Sequence, residues 1–127
     1  MIFEYDLTVP KNTSKLNKVS KNLKLTYGII HQIDIMFPFG CAGLVKCHIN
    51  DALHQVFPTN PNGVFKGSGT TITGKVFHEM LFEPFELTLW AWNEDDTYDH
   101  TITVRFWILR PWQLFIFSEK AWQAQGL

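Results

Sequence analysis

The chain has 127 residues, a length that suits one domain with a substantial core. Hydrophobic residues make up 46% of it, charged residues 18% and aromatic residues 15%, and the formal net charge is −1. This near-neutral charge excludes strong electrostatic attraction to nucleic acid, and no apolar run approaches the roughly 20 residues of a membrane-spanning helix. We therefore expect neither nucleic acid nor a membrane as a direct partner.

The first third of the chain predicts three strands and one irregular segment. Residues 3–9 alternate apolar and polar side chains, which is typical of a half-buried strand. Residues 10–22 have no clear periodicity and are predicted to form an arm or loop. A short strand over residues 23–27 follows. Residues 29–37 then place their odd-numbered side chains, mostly isoleucine, on one face of a further strand.

The middle of the chain continues the same pattern. Residues 45–49 and 52–57 predict two half-buried strands, separated by an Asn-Asp turn signal. Residues 70–82 predict two short strands bent at Gly74, and residues 85–92 predict another strand. Turn signals recur every 8–12 residues or so, which is typical of an antiparallel sandwich or barrel.

Residues 90–108 are interpreted as two strands joined by an acidic turn. In the second strand the apolar side chains alternate strictly and predict one face in a core: Ile102, Val104, Phe106 and Ile108. The turn offers Asp95, Asp96 and Asp99 as oxygen ligands for Ca²⁺. It lacks the glycine and the alternating acids of an EF-hand loop, so we interpret it as a polar turn at one end of the domain.

The chain closes with an apolar extension over residues 111–127, which includes a possible short helix over residues 119–125. Together with the strands upstream, it predicts a single all-β domain, residues 1–127. We expect an antiparallel β-sandwich or barrel with this short C-terminal extension. An extension so apolar must pack on its own domain or on a neighbouring subunit.

Histidines and cysteines are the candidates for chemistry, but their spacing supports no site. A cupin-type metal site needs two histidines separated by one residue and then a glutamate, and no such pair is present. Cys41 and Cys47 match no metal motif and are expected to be small buried residues. We predict no catalytic residue, metal or cofactor, and a cupin-like metal enzyme is the third of three functional interpretations.

Three tryptophans provide a second interpretation. Trp90, Trp92 and Trp107 project from the faces opposite the inferred cores of two consecutive strands. If those strands pair, the three indoles could form a flat platform of the kind on which sugar rings stack. The competing interpretation is that this second face is buried by another subunit or by the C-terminal extension.

Contacts between subunits are the first interpretation. Aromatic residues of the extension would anchor a neighbour: Trp112, Phe115, Phe117 and Trp122. Residues 1–27 are rich in lysine, whereas residues 79–99 carry seven acids and neither lysine nor arginine. We therefore predict a contact between copies in which one set of charges faces the other: Lys15, Lys18 and Lys21 against Asp95, Asp96 and Asp99.

Three segments carry a resemblance to a known class: residues 37–45 (FPFGCAGLV), 55–60 (QVFPTN) and 98–104 (YDHTITV). In strand order and in these segments, residues 23–109 resemble single jelly-roll virion proteins of viruses and prophages, of the minor capsid, vertex, decoration or adaptor type. The resemblance implies an antiparallel β-sandwich of jelly-roll type. It also implies a non-enzymatic structural subunit that contacts itself and other virion proteins. The alternative is a carbohydrate-binding module or virion lectin. The acids at the N-terminus argue against a secretion signal, so we expect assembly in the host cytoplasm and residence in the virion.

Overall fold

A computed structural model describes residues 1–113 as two antiparallel sheets that pack face to face. The strands in this part of the chain are β1 (Ile2–Val9), β2 (Val19–Lys24), β3 (Gly28–Phe37), β4 (Val45–Asp51), β5 (His54–Phe57), β6 (Phe65–Lys66), β7 (Thr70–Met80), β8 (Glu86–Asn93) and β9 (His100–Leu109). A single 3₁₀ turn, Lys15–Asn17, lies between β1 and β2. No helix within residues 1–113 has the length and apolar character needed to cross a bilayer.

The strand order is that of a jelly roll. The first sheet has the order β1-β9-β3-β7, and the second has the order β2-β8-β4-β5, with β6 also paired to β4. One edge of β4 pairs with β8. Along its other edge, β5 and β6 pair one after the other and together occupy one strand position. Eight positions in two such sheets make two Greek keys. The predicted jelly-roll-type sandwich is confirmed.

The core is built from the inward faces of both sheets. In β9 every second side chain is fully buried, as its alternation predicts: Ile102, Val104, Phe106 and Ile108. Leu87, Leu89 and Ala91 of β8 meet them from the opposite sheet. Burial of each large apolar side chain stabilises the fold by about 1.5–3 kcal/mol.

The predicted hairpin over residues 90–108 is wrong. β8 pairs with β2 and β4, whereas β9 pairs with β1 and β3, so the two strands lie in different sheets. Residues 94–99 therefore cross from one sheet to the other instead of closing a hairpin. Both strands turn an apolar face to the same core, and alternation alone does not distinguish facing strands from paired ones.

The predicted arm over residues 10–22 is a loop that ends earlier. Residues 19–22 belong to β2, which pairs with β8 along its whole length. The remainder packs against its own domain, because the Asn12 N–H donates to the Asp95 carbonyl at 2.8 Å and Thr13 pairs with Asn93. The segment is thus tied to the crossing at residues 94–99.

A β-bulge changes the inward face of β3. Pairing with β7 passes from Ile30–His78 to Gln32–Lys75, so His31 has no single partner. Ile30 enters the core cluster where Ile29 was expected, and His31 is half-buried. β7 runs unbroken through Gly74 for 11 residues, in place of the two short strands predicted there. β7 is an edge strand, and the bulge interrupts its regular edge. Such interruptions hinder pairing with strands of other molecules.

The C-terminal extension is described only at its start. Residues 111–113 are helical, and Trp112 is exposed. The possible helix over residues 119–125 and the predicted contact residues Phe115, Phe117 and Trp122 lie outside the described residues.

Candidate functional site

The pair of side chains most like an enzyme site is Asp95 and His100. Both are buried, and His100 Nε2 lies 2.8 Å from Asp95 Oδ2. The other carboxylate oxygen of Asp95 accepts hydrogen bonds from the backbone N–H groups of Thr97 and Tyr98. The pKa of Asp95 is lowered, first by the bond to His100 and then by the backbone donors. Asp95 is therefore an acceptor that shapes the crossing between the sheets.

Cys41 is close to this pair but is not an activated nucleophile. Its side chain is fully buried, and within residues 1–113 its thiol makes no hydrogen bond to His100. The pKa of Cys41 is raised, first by burial and then by the charge of Asp95. Burial raises the pKa of the Cys47 thiol to about 12. Both cysteines are therefore neutral core residues, because a nucleophilic cysteine needs a lowered pKa.

The remaining acids of the crossing are used locally. Asp99 accepts a hydrogen bond from the Lys11 backbone N–H at 2.8 Å, and Asp96 accepts one from Thr97. Within residues 1–113 no group of three or more His, Cys, Asp and Glu side chains is placed to hold a metal ion. The acidic turn thus makes bonds within its own chain, as expected of a polar turn, although Asp95 is buried and not solvated.

The three tryptophans do not form one platform. Trp107 lies on the outer face of the first sheet, where its Nε1 donates to Asp34 Oδ2 at 2.8 Å. Trp90 and Trp92 lie on the outer face of the second sheet, on the other side of the molecule. The predicted three-tryptophan sugar platform is therefore wrong, because it required β8 and β9 to be paired.

Lysines cover the two indoles of the second sheet. Lys18 Nζ lies 5.7 Å from the centre of the Trp90 ring and 5.6 Å from that of Trp92, and Lys15 Nζ lies 5.8 Å from Trp92. Such cation–π contacts contribute about 0.5–2 kcal/mol each, and more as they lose water. Trp92 keeps only 3% of its surface exposed. The indole faces are thus occupied by side chains of the same chain.

Lys21 is also used within the chain. Its ammonium donates to the Asp6 carbonyl at 2.7 Å and lies 5.7 Å from the centre of the Tyr5 ring. Together with Lys15 and Lys18, it was predicted to face the acids of a neighbour. In the folded chain all three lie on aromatic rings of their own domain, while Asp95 is buried.

His48 completes the cluster and was not assigned a role from the sequence. It is buried on the outer face of β4, beside Trp92, with ring centres 6.3 Å apart. Lys18 Nζ lies 3.1 Å from His48 Nε2, and His48 Nδ1 lies 2.8 Å from Asn50 Oδ1. The sequence signal was the outward alternation of Lys46, His48 and Asn50 beside Trp90 and Trp92, which needed the β4–β8 pairing to be interpreted.

One donor in this cluster lacks a well-formed hydrogen bond. Among residues 1–113, the buried Trp92 indole N–H has no partner within hydrogen-bond geometry. The neighbouring Glu94 carboxylate binds Lys46 at 2.8 Å. The pKa of Glu94 is lowered, first by that hydrogen bond and to a smaller extent by the indole N–H. Glu94 therefore compensates the indole N–H only in part, whereas a buried donor left wholly unpaired would cost about 1–3 kcal/mol.

The outer face of the first sheet is a polar network around Asp34. Trp107 and Gln32 donate to its two oxygens, and Arg105 Nε donates to Glu4 at 2.6 Å nearby. Burial alone would raise the pKa of Asp34, but these hydrogen bonds and the charge of Arg105 lower it. Each of these side chains therefore already has a partner within the domain.

Two histidines give the fold a dependence on pH. Burial and then Lys75 lower the pKa of His31, and burial lowers that of His48, with Lys18 and Lys15 adding to the effect. Both therefore bind protons less readily folded than unfolded, where the ordinary value is 6.5. Their contribution to stability is present above that value and is lost as the pH falls below it.

We expect the free energy of unfolding, measured by urea denaturation, to fall between about pH 7.5 and pH 5.5. The double substitution His31→Gln and His48→Gln should flatten this dependence. His54→Gln, at an exposed histidine, is the control and should leave it unchanged. A wild-type stability that is constant across this range would contradict the assignment.

The fold and these faces define an all-β jelly-roll domain whose polar clusters hold its own loops and outer faces together. No protein-family model and no curated protein matches the sequence.

Proposed function

We propose that this chain is a non-enzymatic structural subunit that assembles with itself and with other proteins of a virion, as a minor capsid, decoration or similar component. The observation that carries the proposal is a set of large apolar side chains standing in solvent at one end of the sandwich. Leu53 is 93% exposed, Phe82 85% and Trp112 62%. Exposed apolar patches of this kind are typical of protein interaction sites.

The connections and pairing place these side chains at the same end. At the start of β3, Gly28 pairs with Met80 at the end of β7, and Ile29 pairs with Leu109 at the end of β9. β4 ends close to the start of β5. The tips at residues 51–53, 81–85 and 110–113 therefore lie together. Asp51 and Phe82 line one depression of about 300 Å³ between two of these tips. We name this end, with Leu53, Phe82 and Trp112, the apolar end.

The C-terminal extension begins at the apolar end. Residues 111–113 are the last described, and the sequence that follows supplies Phe115, Phe117 and Trp122, all outside the described residues. The proposal assigns these residues, with Trp112, to contact with a neighbouring subunit. Each apolar side chain buried there would contribute about 1.5–3 kcal/mol to association.

The virion setting and assembly in the host cytoplasm rest on the jelly-roll strand order together with the resemblance at residues 37–45, 55–60 and 98–104. A lectin function is not favoured, because Trp107 lies on the opposite face from Trp90 and Trp92, whose rings lysines cover.

Light scattering of the full chain at micromolar concentration tests the proposal. We expect an oligomer, and the double substitution Leu53→Ser and Phe82→Ser should weaken association at least about tenfold, because two buried side chains are lost. The control is Leu16→Ser with Phe39→Ser, which removes the same two residue types at 95% and 87% exposure from the opposite end. A monomeric wild type, or equal weakening by both pairs, would overturn the assignment.

A further inference from the structure

Residues 14–18 lie over the outer face of the second sheet and are held to it by few bonds. We name them the cover segment. Thr13, just before it, is fixed by its pairing with Asn93, and β2 begins just after it at Val19. Its hydrogen bonds from Asn17 to Ser14 are internal, and Leu16 points into solvent. Within residues 1–113, the contact of Lys18 with His48 is its one side-chain hydrogen bond to the sheet.

That hydrogen bond requires a neutral imidazole. A lysine ammonium has only donors, so His48 Nε2 must be the acceptor for Lys18 Nζ at 3.1 Å. The proton of the neutral ring then lies on Nδ1, which donates to Asn50 Oδ1 at 2.8 Å. A second proton on Nε2 would remove the acceptor and place a positive charge against the ammonium.

The charges around His48 do not favour that second proton. From the cover segment, Lys18 and Lys15 face it, and β8 presents the neutral rings of Trp90 and Trp92. Lys46 precedes it on the same face of β4, but its ammonium is bound to Glu94. No carboxylate among the described residues pairs with the imidazole ring of His48, so an imidazolium there would be uncompensated.

The groups buried under the cover segment favour its release. Trp92 is buried beneath Lys15 and Lys18, and among residues 1–113 its indole N–H has only the Glu94 carboxylate nearby, outside hydrogen-bond geometry. Lifting the cover segment would let water reach that donor and both indole rings. The Lys18–His48 hydrogen bond and the cation–π contacts therefore favour the closed arrangement, whereas the incompletely paired indole N–H favours opening.

We propose that acid releases the cover segment. Protonation of His48 breaks its bond to Lys18, and residues 14–18 then lift and expose Trp90 and Trp92. The open state binds the proton more tightly than the closed state. The effect is set by the difference between the pKa of His48 in the open and closed states. For each unit of that difference, full protonation of His48 raises the ratio of open to closed molecules about tenfold. The change is local, because Thr13 and β2 hold both ends of the segment.

The test follows the indole N–H signals of ¹⁵N-labelled full-length protein by NMR, with a neutral gadolinium chelate as the probe of solvent access. We expect relaxation of the Trp92 signal by the chelate to increase severalfold as the pH falls from about 7.5 to 5, because the cover segment opens below the ordinary histidine pKa. The Trp107 indole, bound to Asp34 on the other sheet, is the internal control and should not change, which separates local opening from unfolding.

Two variants identify the group responsible. His48→Gln keeps an acceptor for Lys18 but has no proton to gain, so its Trp92 signal should stay protected at both pH values, whereas His31→Gln should behave as the wild type. Lys18→Met should expose Trp92 already at neutral pH and abolish the dependence on pH, and it serves as the test if His48→Gln does not fold. A wild-type Trp92 signal that stays protected at the lower pH would overturn the proposal, as would a His48→Gln variant that opens like the wild type.

Discussion

Replacement of Asn93 by alanine is expected to destabilise the protein by on the order of 3 kcal/mol, because three backbone groups lose their partner and two of these hydrogen bonds are buried. The side chain is fully buried where β1, β8 and the sheet crossing meet. Its Nδ2 donates to the Val9 carbonyl at 3.2 Å and to the Tyr98 carbonyl at 3.0 Å, and its Oδ1 accepts from the Asp95 N–H at 2.9 Å. Urea denaturation followed by circular dichroism measures the loss.

The control for this substitution is Asn22→Ala on β2 of the same jelly roll. Asn22 is exposed, and its Oδ1 accepts one long hydrogen bond, from Thr88 at 3.3 Å. Water replaces that bond, so its loss should change stability by less than about 0.5 kcal/mol. Similar effects of the two substitutions would show that Asn93 does not hold the crossing in place.

Strands and fold class could be predicted because several strands turn one apolar face to the core and a more polar face outward. In β1 and β9 the alternation of apolar and polar residues directly reports the side that meets the core. Regular turn signals between many short strands then favour a sandwich. This local information sufficed for an antiparallel sandwich, although the bulge at His31 moved the core face of β3 from Ile29 to Ile30.

Strand partners could not be predicted in the same way. The period of a strand tells which side chains are buried but not which strand provides the neighbouring hydrogen bonds. A short polar connection such as residues 94–99 serves equally well as a hairpin turn and as a crossing between sheets. The error placed Trp107 beside Trp90 and Trp92, and the sugar-platform hypothesis depended on that error.

The cluster of lysines, tryptophans and His48 on the second sheet could not be predicted for a related reason. Lys18 and His48 are separated by 30 residues and meet only because β2 and β4 both pair with β8. The charges of Lys15 and Lys18 suggested a partner on another molecule, whereas the tryptophans of their own chain offered the nearer one. The sequence shows lysines concentrated in residues 1–27 and an abundance of aromatic residues, and only the sheet pairing brings them together.

The apolar end and the cover segment occupy different parts of the surface, which makes their tests independent. Leu53 and Phe82 lie at the end where β3 begins and β9 ends, whereas the cover segment lies on the outer face of the second sheet near the opposite end. Acid release of the cover could therefore be measured in a variant that does not assemble. Conversely, His48→Gln should leave association at neutral pH unchanged.

Alanine at Gly28 is expected to cost on the order of 3 kcal/mol, because backbone strain and steric overlap act together at this position. Gly28 begins β3 with φ of +151°, a conformation that L side chains rarely adopt. A Cβ there would lie 2.6 Å from the Leu109 carbonyl oxygen and 2.7 Å from Ile108 Cγ2. The Leu109 oxygen belongs to the backbone of β9 and cannot move aside without disturbing the pairing of β9 with β3.

Gly74→Ala in β7 is the matched control, since it adds the same methyl group to a strand of the same sheet. The nearest atom to its Cβ would be Ile33 Cγ1, at an ordinary contact distance of 4.0 Å, and its φ is not positive. We expect a change within about 0.5 kcal/mol, or a slight gain from reduced freedom of the unfolded chain. Thermal and urea denaturation of the two variants should therefore separate them clearly. Equal stabilities would mean that β3 and β9 can shift apart at Gly28 without loss, contrary to the tight approach of the two strands at this end of the sheet.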